Sequence, residues 1–373
     1  MKSLIEETLA ENFFRSGELG ASVSIWKAGR ELVSLAGGFK DRQRTEPWTA
    51  STPILVYSAT KGPAAACVLH CLESFGLNLQ TRVAEVWPEF GQAGKEKISI
   101  GAMLSHQAGL SAMTEEVFIF DYQAVTAALA RQAPLWTPGT GHGYHPRTYG
   151  YLLDEVVRRL SGVPLGEYWN RVFREPMELE FWIGLPPEEL PRVATIFPPR
   201  HSPIAGEDIF SRAFADPDSL TFKSFCSPRG LPSVASMNSP EARTASFPAF
   251  GGIGTASALA KFYAMLANGG EIEGRRYFQP ETLDWMIDPL VSGPDRIFQI
   301  DTSFSAGFMK DPCGRGTFGP SHSAFGHPGA GGSLAFADPE HGWSFAYVMN
   351  QMESGVLPNE KSQRLIRAAA GVI

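Results

Sequence analysis

The 373-residue sequence predicts an α/β fold of the α+β kind, with a central antiparallel sheet flanked by helices and a mostly helical lobe beside it. Three observations carry that expectation. Runs of period two lie near both ends of the chain, between 21 and 36 and between 304 and 349, and an amphipathic helix outside each run is placed to cover a sheet. The stretch between them is dominated by helical periods. A content of 43% hydrophobic and 11% aromatic residues is enough core for one large domain or two packed together. We therefore expect residues 1–80 and 240–373 to form a discontinuous α/β domain and residues 81–239 a mostly helical one.

Taken in order, residues 3–15 place Leu4, Ile5, Leu9, Phe13 and Phe14 on one helical stripe, which Gly17 ends. The alternating runs Ala21 to Trp26 and Glu31 to Ala36 flank Ala28-Gly29-Arg30 and read as a hairpin. A short extended run from Ile54 to Tyr57 leads into a helix expected over 59–75. The texture changes from about residue 80, with segments at 83–90 and 98–104 and a strong helix from Tyr122 to Arg131. Pro134, Pro138, Gly139, Gly141 and Gly143 form a turn-rich run that holds Tyr144 on a loop before a helix expected over 149–160. Residues 184–250 read as loops and short helices over one face, because Phe210, Phe214, Phe222, Phe225 and Phe247 need somewhere to pack. Thr255 is placed to cap a helix over 256–266 that stops at Asn268-Gly269-Gly270, and a further helix is expected over 281–287. Strands are expected at 304–310, 332–337 and 343–349, followed by a closing helix over 359–369.

Composition excludes several functions. The formal charge of -7 is spread over mixed runs without a basic stripe, so nucleic acid is not an expected partner. No run reaches the roughly 18 apolar residues that a membrane span needs, and residues 1–9 have the pattern of an amphipathic helix instead of a signal core, so a soluble cytoplasmic protein is expected. The cysteines are Cys67, Cys71, Cys226 and Cys313; the first two share a helix face with no zinc-ligand set beside them and read as buried apolar thiols. The eight histidines are scattered without an HExxH pattern. No metal and no cofactor are expected.

The chemistry centres on Ser58 and Lys61, three apart at an expected helix start and therefore on one side of its first turn. A serine hydroxyl is a weak nucleophile until a base takes its proton, and a lysine serves as that base only when burial or neighbouring positive charge lowers its pKa. Serine is also an ordinary N-cap and a first-turn lysine an ordinary surface residue, so the pair alone leaves both readings open. An acyl-transfer site further needs a proton relay and an oxyanion hole. Tyr144 is a candidate for the relay, against the alternative of an aromatic plug. The stretch from Phe325 to Gly332 is a candidate for the oxyanion donors, against a tight turn with a bulge.

Together, in this order, these stretches resemble the serine beta-lactamase and penicillin-binding-protein superfamily, nearest to its class C branch and to the family VIII carboxylesterases. The SxxK motif is Ser58 to Lys61, the tyrosine motif matches Tyr144-His145-Pro146, and the lysine-threonine-glycine motif matches His327-Pro328-Gly329. Leu104 to Leu110 and Gly251 to Thr255 match two further family phrases. The resemblance implies a beta-lactamase-like fold, Ser58 as nucleophile, Lys61 as its base and Tyr144 as proton relay. It also implies an oxyanion hole of the Ser58 and Ala330 N–H groups, and a substrate wall that includes His327, Gly329 and Ala330. Two departures bear on substrate. Pro146 replaces the asparagine whose amide holds the acylamino side chain of a lactam, and His327 replaces a lysine that helps hold its carboxylate. Both changes suit a small neutral carboxylic ester, with water, or an alternative alcohol, as acyl acceptor. The enzymatic alternatives are a beta-lactamase, a D-amino peptidase or an acyltransferase, and the non-enzymatic one is an inactive binding protein on the same fold.

Overall fold

In the computed structural model the described residues are 2–200, 209–312, 314 and 316–373, so Cys313 lies outside them. Eight strands form one sheet. Their order is Arg30–Gly38, Gly20–Lys27, Trp343–Met349, Leu334–Asp338, Phe325–Pro328, Met309–Lys310, Asp301–Phe304 and Val291–Pro294, and every neighbouring pair is antiparallel. Residues from the two ends of the chain therefore meet inside the sheet, with Val23 opposite Tyr347 and Ile25 opposite Phe345. The first hairpin turns on Ala28 and Gly29 with φ of 48° and 72°, the pair of positive values that matches the twist of the flanking strands.

Because alternate residues of a strand face opposite ways, each sheet face needs its own cover. On the Val23–Tyr347 face lie the terminal helices Lys2–Arg15 and Glu360–Ala370, which pack on each other. There the Tyr347 hydroxyl donates to Glu18, and Lys361 pairs with Glu353 at 2.7 Å, so the buried charges are partnered. On the opposite face lies helix Ala256–Ala267, reached by Ser344 Oγ, which donates to the Ala260 carbonyl at 2.7 Å. Thr255 caps that helix through a bond from the Ala258 N–H at 3.2 Å. The helical lobe includes Tyr122–Arg131 and Thr148–Ser161, the latter packing against the buried helix Lys61–Ser74. Among the described residues no helix is long and apolar enough to cross a membrane.

Several sequence expectations are corrected. The run from 304 to 310 is a hairpin, Asp301–Phe304 with Met309–Lys310, because Gly307 takes a φ of 92° and the Ser305 N–H bonds back to the Phe308 carbonyl at 2.9 Å. The strand expected from Gly332 starts at Leu334, since the Gly329 N–H closes a turn onto the Ser333 carbonyl at 2.6 Å. The segment at 83–90 is a one-turn helix, Val83–Val86, and a 3-10 turn, Pro88–Phe90. The helix expected from 59 begins as a 3-10 turn over Tyr57–Thr60 and becomes α-helical at Lys61. The extended run expected at Ile54 is the strand Ile54–Leu55, but the sequence pattern missed its partners Gly252–Gly254 and Phe181–Ile183 and the edge strand Val291–Pro294, all too short for a period to register. Within 184–250 the described residues include the short helices Ile209–Ala215, Leu220–Cys226 and Pro240–Thr244, and Phe247 is buried while Phe214 is 42% exposed.

Candidate active site

Ser58 sits where the small sheet hands the chain to the buried helix. Ile54 and Leu55 pair with Gly254 and Ile253, and the Val56 N–H donates to the Gly252 carbonyl at 3.0 Å. The chain then reverses at Tyr57 with a φ of 47°, a left-handed conformation that costs a non-glycine residue about 1–2 kcal/mol. Thr60 holds it there: its Oγ1 donates to the Tyr57 carbonyl at 2.5 Å and accepts from the Gly252 N–H at 2.8 Å. Ser58 is left half-buried in the first turn, ahead of the helix's own acceptors.

Lys61 is wholly buried, and burial pushes its pKa well below the ordinary lysine value. Its Nζ donates to the carbonyls of Pro146 at 3.0 Å and Ala249 at 2.8 Å and stands 3.4 Å from Ser58 Oγ. A neutral amine has two N–H bonds and one lone pair. With both N–H bonds taken by carbonyls, the remaining direction faces the serine, the arrangement a base requires. Close packing makes this seat possible, since a β-carbon at Gly62 would stand 2.1 Å from the Tyr263 hydroxyl.

Tyr144 is 2% exposed and lies on the loop before Thr148–Ser161, where the turn-rich run put it. Its ring lies under Lys61 Nζ at 4.6 Å, and its hydroxyl is close enough to the Ser58 side chain for the two to interact. Burial pushes its pKa up; the neighbouring Ser58 side chain opposes that shift and the Asp295 charge adds to it. The Leu104 to Leu110 stretch braces the loop: His106, at a φ of 63°, accepts the His145 N–H on Nδ1 at 3.2 Å, and the Leu110 N–H donates to His145 Nε2 at 3.0 Å. Burial holds His145 neutral, its pKa lowered to about 3.

Strand Phe325–Pro328 packs beside the serine turn. A β-carbon at Gly329 would stand 2.0 Å from the Val56 carbonyl oxygen, so only glycine lets the two segments approach this closely. The N–H groups of Gly329, Gly331 and Gly332 donate to backbone carbonyls, whereas that of half-buried Ala330 has no acceptor among the described residues. His327 is 1% exposed, with Nδ1 2.7 Å from the Pro328 carbonyl and Nε2 buried without a hydrogen-bond partner among the described residues. Burial and the nearby Lys61 charge lower its pKa to about 3.

The structure thus brings Ser58, Lys61, Tyr144, His327, Gly329 and Ala330 to one place. Sequence reasoning did not find the carbonyls of Pro146 and Ala249, which no side-chain motif encodes, or Asp295, whose carboxylate accepts the Tyr144 N–H at 3.1 Å across 151 positions. Cys67 and Cys71 are buried free thiols, as expected.

The beta-lactamase family model matches residues 1–370. An esterase/beta-lactamase, LipL, from Mycobacterium tuberculosis strain H37Rv is 32% identical over 94% of this chain and 82% of its own. Among solved structures, a penicillin-binding-protein homologue from Caulobacter crescentus is 38% identical with a TM-score of 0.90, covering 100% of this chain and 97% of its own. A family VIII carboxylesterase is 32% identical with a TM-score of 0.89 and the same two coverages of 100% and 97%. The chain belongs to the beta-lactamase family, a superfamily of serine hydrolases acting on ester or amide bonds, and is related to the family VIII esterases.

Proposed function

We propose that the protein is a carboxylic ester hydrolase that works through an acyl-enzyme on Ser58 and prefers short-chain or small neutral esters. The observation that carries this reading is the seat of Lys61, buried, bound to two carbonyls and facing Ser58 Oγ at 3.4 Å. Ser58 Oγ attacks the ester carbonyl carbon while its proton passes to Lys61 Nζ. The Ser58 and Ala330 N–H groups bind the resulting oxyanion. As the tetrahedral intermediate collapses, Tyr144 gives its proton to the departing alkoxide and recovers one from Lys61. Water then attacks the acyl carbon, loses its proton to the same pair, and releases the acid with Ser58 restored.

Selectivity follows from two neutral groups. His327 is uncharged at physiological pH and Pro146 offers no side-chain amide, so neither supplies the polar anchors of a charged, amide-bearing lactam. An esterase name on one relative and a family VIII carboxylesterase among the similar structures favour the ester reading; the beta-lactamase half of the first name keeps lactam hydrolysis as the competing activity. The test is to label the protein with an aryl phosphonate, map the adduct by mass spectrometry, and compare kcat/KM for a small p-nitrophenyl ester and for nitrocefin. We expect the adduct on Ser58 and an ester preference of at least about 10^3, roughly 4 kcal/mol of transition-state discrimination. An adduct on another serine rejects the nucleophile, and comparable values for the two substrates reject the selectivity.

A further inference from the structure

One buried carboxylate outside the serine, lysine and tyrosine holds the segment that carries Tyr144. Asp295 is 2% exposed. Its Oδ1 accepts three backbone N–H groups, from Tyr144 at 3.1 Å, Ile297 at 2.7 Å and Phe298 at 2.9 Å. Its Oδ2 accepts from Thr302 Oγ1 at 3.0 Å, and that hydroxyl stands 2.7 Å from His142 Nε2. The Arg296 N–H donates in turn to the His142 carbonyl at 3.1 Å, so the two segments are laced from both sides. A carboxylate is the side chain suited to this place, since its four lone-pair directions accept several donors at once and so offset the cost of burying its charge.

The same turn also sets the ring of Tyr144. Phe298, whose N–H is held by Asp295, stacks on the Tyr144 ring with centroids 4.5 Å apart and planes 23° apart. The backbone nitrogen of Tyr144 and the face of its ring thus rest on one turn, and the position of the hydroxyl beside Ser58 follows from both. We propose that Asp295 is the positioning residue for Tyr144, anchoring its backbone and, through Phe298, its ring, so that the phenol reaches the serine. This rests on the reading of Tyr144 as the proton relay. The charge of Asp295 acts in the same direction. The other titratable groups around the ring include Lys61 at 4.6 Å and the rings of His106 at 5.0 Å and His327 at 5.9 Å, with burial lowering the pKa of all three, and the buried phenol of Tyr149, whose pKa burial raises. Asp295 therefore opposes ionisation of the phenol and favours the hydroxyl form that can give up a proton.

The experiment is a double-mutant cycle of Asp295→Ala with Tyr144→Phe, read by kcat and KM on p-nitrophenyl acetate, with Asp295→Asn as the conservative variant. Hydrogen exchange of the peptide containing Tyr144 is followed alongside. In the wild-type background Asp295→Ala should lower kcat by about 30-fold or more, the scale of a misplacement near 1 Å, with KM changed less than about threefold. In the Tyr144→Phe background the same change should cost less than about threefold, because the group it positions is gone. Asp295→Asn keeps an acceptor oxygen for the three N–H groups and should recover kcat to within about fivefold of wild type, with the Tyr144 amide still protected from exchange. If Asp295→Ala does not fold, Asp295→Glu, which moves the carboxylate by one methylene, enters the same cycle with the same expectation. An equal loss in both backgrounds overturns the proposal, as does wild-type kcat in the variant that breaks the contact. Wild-type kcat in Tyr144→Phe alone overturns the relay reading itself, which separates the two failures.

Discussion

Gly329→Ala tests whether the approach of strand Phe325–Pro328 to the serine turn builds the oxyanion hole. The added β-carbon would stand 2.0 Å from the Val56 carbonyl oxygen and 3.4 Å from the Ala59 nitrogen. A carbon and a carbonyl oxygen rest at about 3.3 Å, so one segment must withdraw by about 1.3 Å. Val56 is the less free to move, because its N–H is held by Gly252 at 3.0 Å and its neighbours pair with Gly254 and Ile253. The loop carrying Ala330 therefore gives way. Gly329 has no left-handed φ, so the effect is steric and owes nothing to backbone strain. A displacement of this size at a donor lies in the range of about 10^2-fold, and complete loss of an oxyanion donor in the range of about 10^2 to 10^3. We expect kcat on a small p-nitrophenyl ester to fall by about 10^2 or more while overpacking lowers stability by about 1–3 kcal/mol. The assay is steady-state hydrolysis beside a denaturant melt. A kcat within about threefold of wild type in a folded variant would refute the assignment of Ala330 as an oxyanion donor.

Further outcomes are expected. Ser58→Ala should lose at least about 10^3 in the chemical rate and take no phosphonate label; an active variant would remove Ser58 from the reaction. Tyr144→Phe deletes one hydroxyl and keeps the ring on Phe298, so kcat should fall about 10^2 while the melting temperature stays within a few degrees; near wild-type kcat across the pH range leaves Lys61 to act alone. Lys61 works as a base only when neutral and its folded pKa is depressed by burial, so kcat/KM should fall as pH drops through that lowered value. Because the unfolded chain then binds the additional proton, Lys61 makes folding stability rise with pH between its lowered folded pKa and its ordinary value, a slope that Lys61→Met should remove from pH-dependent melts. His327→Gln should leave the acid limb of kcat/KM in place, since that limb is assigned to Lys61 and burial keeps the histidine neutral; a limb that vanishes in this variant belongs to the histidine.

The elements that repeat over many residues were legible in the amino-acid order. The terminal hairpin, the helices Tyr122–Arg131 and Ala256–Ala267 and the strand Trp343–Met349 are each long enough for the type of element to be read from the amino-acid order. Spacing and loop punctuation likewise pointed to Ser58, Lys61, Tyr144 and the stretch from Phe325 to Gly332, while the resemblance to a known family singled out His327 within that stretch. Tertiary structure decided what converts them into a site. The amine of Lys61 is seated by carbonyls 85 and 188 positions away, and every residue type offers the same carbonyl. The left-handed Tyr57 is held by Thr60 and Gly252, and the strands Ile54–Leu55 and Gly252–Gly254 that frame it are too short to show a period. Asp295 is one acidic residue after a proline in the sequence; only folding places its carboxylate against the Tyr144 N–H, inside a core that makes its charge costly to leave unpaired. Periodicity and residue chemistry are local properties of the chain, whereas a pKa depends on what burial removes and on which distant backbone dipoles replace the lost water.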